Sequence, residues 1–231
     1  MKFLHHDDRL EPQRVSRMAA ALEEFPNAGF VFSRRKIEVT TPTETTRAWV
    51  DRYRNVHQGL GQLGRIDSGP PLLTRLLEND LRDNSIGEPT CVMARRSALD
   101  DARGFNTHVY GTTDLDLWAR LMTRHDVAFV DEELVTYRHS STSETVRTRS
   151  RHLDWLDDLW TLDALGRDPA LRELGRLIER QLRIQRRLAF HAAVLQTLHR
   201  RRDNFPLRLW LQYEGLRLVN RLRLSLQHAD S

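Results

Sequence analysis

At 231 residues, with 39% hydrophobic and 29% charged side chains, the chain can form one domain with an appendage or two small domains; this composition excludes a disordered or fibrous protein. Its formal net charge is +4 and its pI about 9.7, and the basic side chains are almost all arginine, Lys2 and Lys36 being the only lysines. The arginines are scattered and not gathered in one block, so a coding bias explains them better than an anion-binding surface does.

Cys91 is the single cysteine, which excludes an intramolecular disulfide and a multi-cysteine metal site and fits a reducing compartment. "MKFLHHDD" lacks the apolar core of a secretory signal. "LAFHAAVLQTLH" (Leu188–His199) is too short and too polar to cross a bilayer. The expectation is a cytoplasmic protein, soluble or peripheral at the inner face of the cell membrane.

In chain order, a strand is predicted at Lys2–His5. A helix follows from Pro12 to Phe25, with Val15, Met18, Ala19 and Leu22 on one face and proline in its first turn. "AGFVFSRRKIEV" (Ala28–Val39) is a second strand, running outward into polar residues. Residues 40–71, rich in Thr, Gly and "SGPP", read mostly as loop, with a short helix around Trp49–Val56. "PLLTRLLEND" is helical, "PTCVMARR" a strand leading into a helical turn, and "GFNTHVYGTT" a loop. "DLDLWARLMTRH" is a helix, "VAFV" a strand and "ELVTYRH" an extended segment. Alternating strands and helices give an α/β class. Beyond the polar hinge "SSTSETVRTRSR" only helices are predicted, near 151–166, 169–202 and 206–227. This places a domain boundary near residue 146, between an α/β part (1–145) and a helical extension (146–231).

Four motifs carry chemistry. In "HHDD", Asp7 and Asp8 close a strand at its carboxyl end, where ligands of α/β sheets bind, and suit a hard divalent cation; Asp8 could equally cap the following helix. In "IGEPTCVMARR", Gly87 and Pro89 set a turn before a buried strand, and Arg95 either approaches a phosphate or acceptor or is simply solvated. In "GTTDLDLW", Thr112 or Thr113 can cap a helix with Asp114 in its first turn. Asp114 and Asp116 stand two apart and cannot share a face, so one should enter a site while the other is solvated or caps. A carboxylate held there suits a general base, and equally a plain complement to the helix dipole. In "LVTYRHSSTS", Arg138 can neutralise a diphosphate and His139 can bind a metal, or the segment is an ordinary edge strand.

The order of these motifs, an aspartate cluster ending a strand, then "IGEPTCVMARR", "GFN", "TDLDLW.RLM" and "ELVTYRH..STS", resembles the later half of a family-2 glycosyltransferase domain over about Phe3 to Ser143. The resemblance implies a partial GT-A sheet with flanking helices. It implies inverting transfer of a sugar from a nucleoside-diphosphate sugar to a saccharide or lipid-linked saccharide acceptor, with Mn²⁺ or Mg²⁺ as cofactor. By resemblance, Asp7 and Asp8 match the metal-binding aspartates, with His5 in place of the first of them. Asp114 matches the aspartate of the family's Glu-Asp base pair, with Thr113 in the glutamate position. Tyr137-Arg138-His139 matches the Tyr-Arg-x-His ending, one residue shorter, which makes His139 a further metal ligand and Arg138 and Arg95 donor-binding residues. The family's first half, which holds base and ribose, precedes such an aspartate cluster and is not in this sequence, so the polypeptide alone is expected to have little or no transferase activity.

The rival expectation is a non-catalytic, degenerate transferase fragment acting as a scaffold, favoured by His5 and Thr113. Nucleic-acid binding through "RRRD" or "RLRL" is not expected, because aromatic interleaving is sparse and no recognised module is present. The last helix, "PLRLWLQYEGLRLVNRLRLSLQ", mixes leucine and arginine around its circumference, which fits packing on a partner at least as well as peripheral membrane contact.

Overall fold

Two long strands organise the α/β body in a computed structural model describing residues 1–5, 7–40, 42–79, 81, 84–109, 111–139, 154–199 and 207–218. The elements in chain order are β1 (Arg9–Leu10), α1 (Arg14–Glu24), β2 (Ala28–Val39), α2 (Glu44–Tyr53), a 3₁₀ turn (Val56–Leu60), β3 (Ile66–Asp67) and α3 (Gly69–Glu78). A second 3₁₀ turn (Pro89–Cys91), β4 (Val92–Ala94), α4 (Arg96–Asp101), α5 (Thr113–Met122) and β5 (Asp126–His139) follow. Then come α6 (Asp154–Gly166), a third 3₁₀ turn (Pro169–Leu174), α7 (Gly175–His199) and a helix over residues 207–218.

The sheet order is β1-β5-β2-β4, with β3 also on β5. β2 and β5 are parallel along nearly their whole length, β4 is antiparallel to β2, and β1 and β3 are antiparallel to β5. Lys2 forms an antiparallel bridge with Met93 in β4. Two reversals restore direction, so the chain at Lys2 runs parallel to β2 and β5. The residues that follow it therefore emerge at the same end of the sheet as the carboxyl ends of those two strands. The predicted Lys2–His5 strand is in fact this one bridge; the run to His5 makes no ladder.

Both faces of the sheet are covered, which is why the first half of β2 is a continuous buried run instead of an alternating one. On one face α1 packs Met18, Ala21 and Leu22 against Ala28, Val31, Met93 and Ala128. On the other, Phe30 stacks on Trp118 of α5 and Phe32 packs on Phe129. Leu117, Trp118, Leu121 and Met122 are all buried, so both four-residue pairs of α5 serve the core. The inward face of α1 is rotated from the one predicted: Val15 is exposed and Arg14 is fully buried. Arg14 donates to Ser33 Oγ at 2.8 Å and to the Thr90 carbonyl, so its guanidinium is enclosed but hydrogen-bonded.

Residues 40–71 are more ordered than a loop. Helix α2 starts at a threonine box: Thr43 Oγ1 accepts from Thr46 N at 3.1 Å and Thr46 Oγ1 accepts from Thr43 N at 2.7 Å. Two threonines do what a Ser-x-x-Glu signature normally announces. "VAFV" and "ELVTYRH" are one strand, β5, because the parallel ladder with β2 continues through register shifts between Ser33 and Arg35.

Contacts divide the chain into units 1–181 and 182–231. The boundary expected near residue 146 falls in 140–153, outside the described residues. Helix α6 belongs with the sheet unit, packing on α5. In the second unit, the 182–199 part of α7 and the 207–218 helix meet through Phe190 against Trp210 and a two-pronged Arg186–Glu214 pair, and Ala189, Ala193 and Tyr213 are buried. Among the described residues, no helix is long and apolar enough to cross a membrane.

Candidate active site at the carboxyl end of the sheet

Asp7 and Asp8 follow the Lys2 segment at the end of the sheet where Tyr137, Arg138 and His139 close β5. The Pro89–Cys91 turn, which enters antiparallel β4, lies at that same end and ties the amino-terminal segment there: His5 N donates to Thr90 Oγ1 and Lys2 Nζ to the Thr90 carbonyl. Asp8 is buried, and its Oδ1 accepts from Arg138 N at 3.1 Å. Its Oδ2 is buried with no hydrogen-bond partner among the described residues; His5 Nδ1 stands 3.9 Å away. Arg138 itself lies 3.6 Å from Glu38 and is partly exposed. His139 stacks on Trp49 of α2 at 4.3 Å, with Tyr137 on the same aromatic patch.

The loop before β4 is built around Gly87. Its φ of +97° suits glycine, and a Cβ there would come within 2.9 Å of Arg35 Nη1. The Gly87 carbonyl accepts from Trp118 Nε1 at 3.1 Å and from Asn84 Nδ2 at 2.9 Å, fixing the loop on α5. Glu88, next in sequence, pairs with buried Arg35 at 3.2 Å, and Arg35 lies over the Tyr137 ring. Burial works against the Arg35 charge, but Glu88, with Cys91 and Tyr137, outweighs it and raises the guanidinium pKa.

Asp114 stands in the first turn of α5, half-buried, with Oδ2 accepting from Asn84 Nδ2 at 2.8 Å and Oδ1 from Leu115 N at 2.8 Å. Burial, reinforced by the charge of Glu88, pushes its carboxyl up to about 7 against the lowering effect of these hydrogen bonds. Burial together with Glu88, Asp8 and Asp7 likewise holds the Tyr137 phenol above its ordinary range. Glu88 is thus the charge that Asp114 and Tyr137 share, and Asp7 and Asp8 act on Tyr137.

Asp116, the other half of the Asp-x-Asp pair, neither caps α5 nor meets solvent. It is fully buried, gripped by Arg120 at 2.6 and 2.9 Å and reached by Thr161 Oγ1 at 3.3 Å. One helical turn places Arg120 over it, so its charge is neutralised locally and serves structure. Nor do the threonine side chains cap α5. Asp157 of α6 instead ties down the two residues that lead into the helix from across the fold, its Oδ2 accepting from Gly111 N at 2.6 Å, Thr112 N at 2.9 Å and Thr112 Oγ1.

Arg95 corrects the expectation of a donor-binding role. It follows β4 and so emerges at the opposite end of the sheet. There its N donates to the Gly29 carbonyl at 2.8 Å, its Nε to Ala28 O at 2.9 Å, and its Nη2 to Leu22 O and Phe25 O. The guanidinium clasps the α1–β2 connection, away from Asp7, Asp8 and Asp114.

Among the described residues, no group of three or more His, Cys, Asp or Glu side chains comes together at ligand spacing, so Asp7, Asp8 and His139 are not a preassembled triad. His139 is directed to Trp49, whereas Asp8 is turned onto Arg138 N. The two aspartates alone fit a hard cation: both offer oxygen, and the buried Asp8 Oδ2 is an acceptor that a cation would satisfy.

Glu88, Asn84, Arg35, Trp49 and Asp157 were not legible as site residues. Glu88 lies inside a quoted motif whose arginines draw attention first. Asp157 lies beyond the expected domain boundary, and no sequence signal links it to α5.

No family model matches the chain. Over 169 residues it is 36% identical to an uncharacterized protein, MT1568, of Mycobacterium tuberculosis (strain CDC 1551 / Oshkosh), a match covering 73% of this chain and 51% of the relative. The chain thus spans about half the length of the curated relative it matches.

Proposed function

We propose that this chain carries the metal- and acceptor-side part of a family-2-like, inverting glycosyltransferase of GT-A fold, moving a sugar from a nucleoside-diphosphate sugar to a hydroxyl of a saccharide or lipid-linked saccharide. The observation that carries the proposal is Asp114. It is a carboxylate raised to about 7 at the sheet end that also bears Asp7, Asp8 and Arg138, linked to them through Glu88 and Tyr137.

A base whose pKa lies near the working pH combines the ionised form with proton-accepting power. In this reading Asp114 takes the proton from the acceptor hydroxyl as its oxygen bonds to the anomeric carbon and the bond to the diphosphate breaks on the opposite face, inverting the centre. Asn84 and the Leu115 amide hold the carboxylate in orientation, and Asp157 fixes the start of the helix that carries it. Arg138 supplies positive charge for the diphosphate. Asp7 and Asp8 would hold Mn²⁺ or Mg²⁺, which when bound stabilises the charge of the departing diphosphate.

The test is sugar transfer from uridine, guanosine and thymidine diphospho-sugars with Mn²⁺, in this chain and in the longest open reading frame containing it, alongside titration calorimetry with the free diphosphates. The expected result is Mn²⁺-dependent diphosphate binding in that longest frame, with transfer abolished and binding kept in Asp114→Asn. Retained turnover in the variant removes Asp114 from the base role. Absence of any diphosphate binding favours the non-catalytic scaffold, a second reading supported by the engagement of Asp8 with the Arg138 amide.

A further inference from the structure

Charge is distributed unevenly between the two units. Residues 182–231 contain ten arginines and three acidic residues, a formal +7, whereas the whole chain is +4 and residues 1–181 are therefore −3. The second unit also exposes its apolar side chains in an ordered way. On α7, Ile184, Leu188, Leu195 and Leu198 are 37%, 52%, 56% and 66% exposed. Their spacing of 4, 7 and 3 residues keeps them, with exposed His191, within an arc of roughly 80° at 100° per residue. Buried Ala189 and Ala193 lie on the other side of α7. Exposed Arg183 and Arg187 border the leucine stripe. On the 207–218 helix, Leu211 and Leu218, two turns apart, are also exposed.

From this we infer that the 182–199 part of α7 docks the protein on an anionic phospholipid surface, with its leucine stripe entering the headgroup–acyl boundary and Arg183 and Arg187 engaging lipid phosphates. A clean apolar stripe bordered by arginine is the pattern of a helix lying in the interface plane. The last helix, with leucine and arginine intermixed, does not show it; the preceding helix does. A second copy is a poor occupant of this face, because two surfaces from +7 units repel. Nucleic acid would engage the arginines but leaves four exposed aliphatic side chains without a use. The inference stands on the second unit alone and holds or fails independently of the sugar-transfer proposal.

The experiment is co-sedimentation of the whole chain with phosphatidylcholine vesicles and with vesicles containing roughly one-third phosphatidylglycerol, a composition that gives a negative surface potential. The expected result is binding to the anionic vesicles, weakened by high salt, and little to the neutral ones. The double variant Leu188→Ser, Leu195→Ser should lower partitioning about tenfold or more through lost apolar burial. Arg183→Gln with Arg187→Gln should lower it on anionic vesicles only. All four positions are exposed, and unchanged far-ultraviolet circular dichroism and melting temperature would verify folding. Absence of binding to anionic vesicles, equal binding by the leucine variant, or preferential capture of duplex DNA would overturn the inference. So would light scattering that shows a dimer split by the leucine changes without loss of a vesicle-bound fraction.

Discussion

The two ends of the sheet use arginine and carboxylate in opposite ways. At the amino end of β2, Arg95 gives its donors to backbone carbonyls of Leu22, Phe25 and Ala28. At the carboxyl end, Arg35 and Arg138 face Glu88 and Glu38, Asp8 Oδ2 is buried without a donor among the described residues, and Asp114 and Tyr137 are held away from their ordinary pKa values. At the amino end the Arg95 guanidinium is satisfied by main-chain carbonyls. The other end retains electrostatic stress, the usual mark of a site that awaits a ligand. Asp114 and Asp116 repeat the contrast within one helix turn: Arg120 quenches the second, whereas the first accepts from the neutral amide of Asn84.

The largest expected effect tests the carboxyl end. Asp114→Asn should lower sugar transfer by about 10²- to 10⁴-fold, the usual contribution of a general base, with diphosphate affinity unchanged by calorimetry. Next is the swap of roles between arginines. Arg95→Ala should cost about 2–3 kcal/mol in denaturant titration, because buried carbonyls lose their donor, and should leave diphosphate binding intact. Arg138→Ala should do the reverse: the loss of a partly exposed pair costs about 0–1 kcal/mol, while diphosphate affinity falls. Equal behaviour of the two variants would erase the distinction between the ends. Gly87→Ala should cost about 1–3 kcal/mol through backbone strain at positive φ, and more if Arg35 cannot yield.

A further effect is a pH dependence of stability. Unfolded Asp114 titrates near its ordinary 3.8 and folded Asp114 near 7, so between these values the native chain keeps a proton that the unfolded chain has released. Its contribution to stability therefore falls as pH rises from 4 to 7 and is level above that range. Asparagine has no such loss. The melting temperature of Asp114→Asn relative to the parent should rise across that window, and a constant difference would mean that Asp114 is not desolvated.

Much of this was legible in the sequence, and the failures have physical causes. Strand β2 is as predicted, because its β-branched and aromatic run is long and bounded by Pro26-Asn27 on one side and threonines on the other. The candidate base was legible because a carboxylate at a helix start above an apolar stripe is a local pattern. Arg95 was misassigned because a strand-flanking arginine looks the same from sequence whichever end of the sheet it occupies; only the antiparallel direction of β4 decides. The inward face of α1 differs from the apolar pattern because it includes Arg14, and arginine is rarely fully buried, so nothing local marks it as an inward residue. Asp157 was invisible because its partners lie 45 and 46 residues away.

The central claim is that Asp114 is a desolvated carboxylate tuned by Glu88 at the carboxyl end of the sheet. Carbon-detected NMR titration of the Asp114 carboxyl tests it most directly. The expected result is a midpoint about 7 that moves down in Glu88→Gln as the repelling charge is removed. A midpoint close to 3.8, indifferent to Glu88, would contradict it.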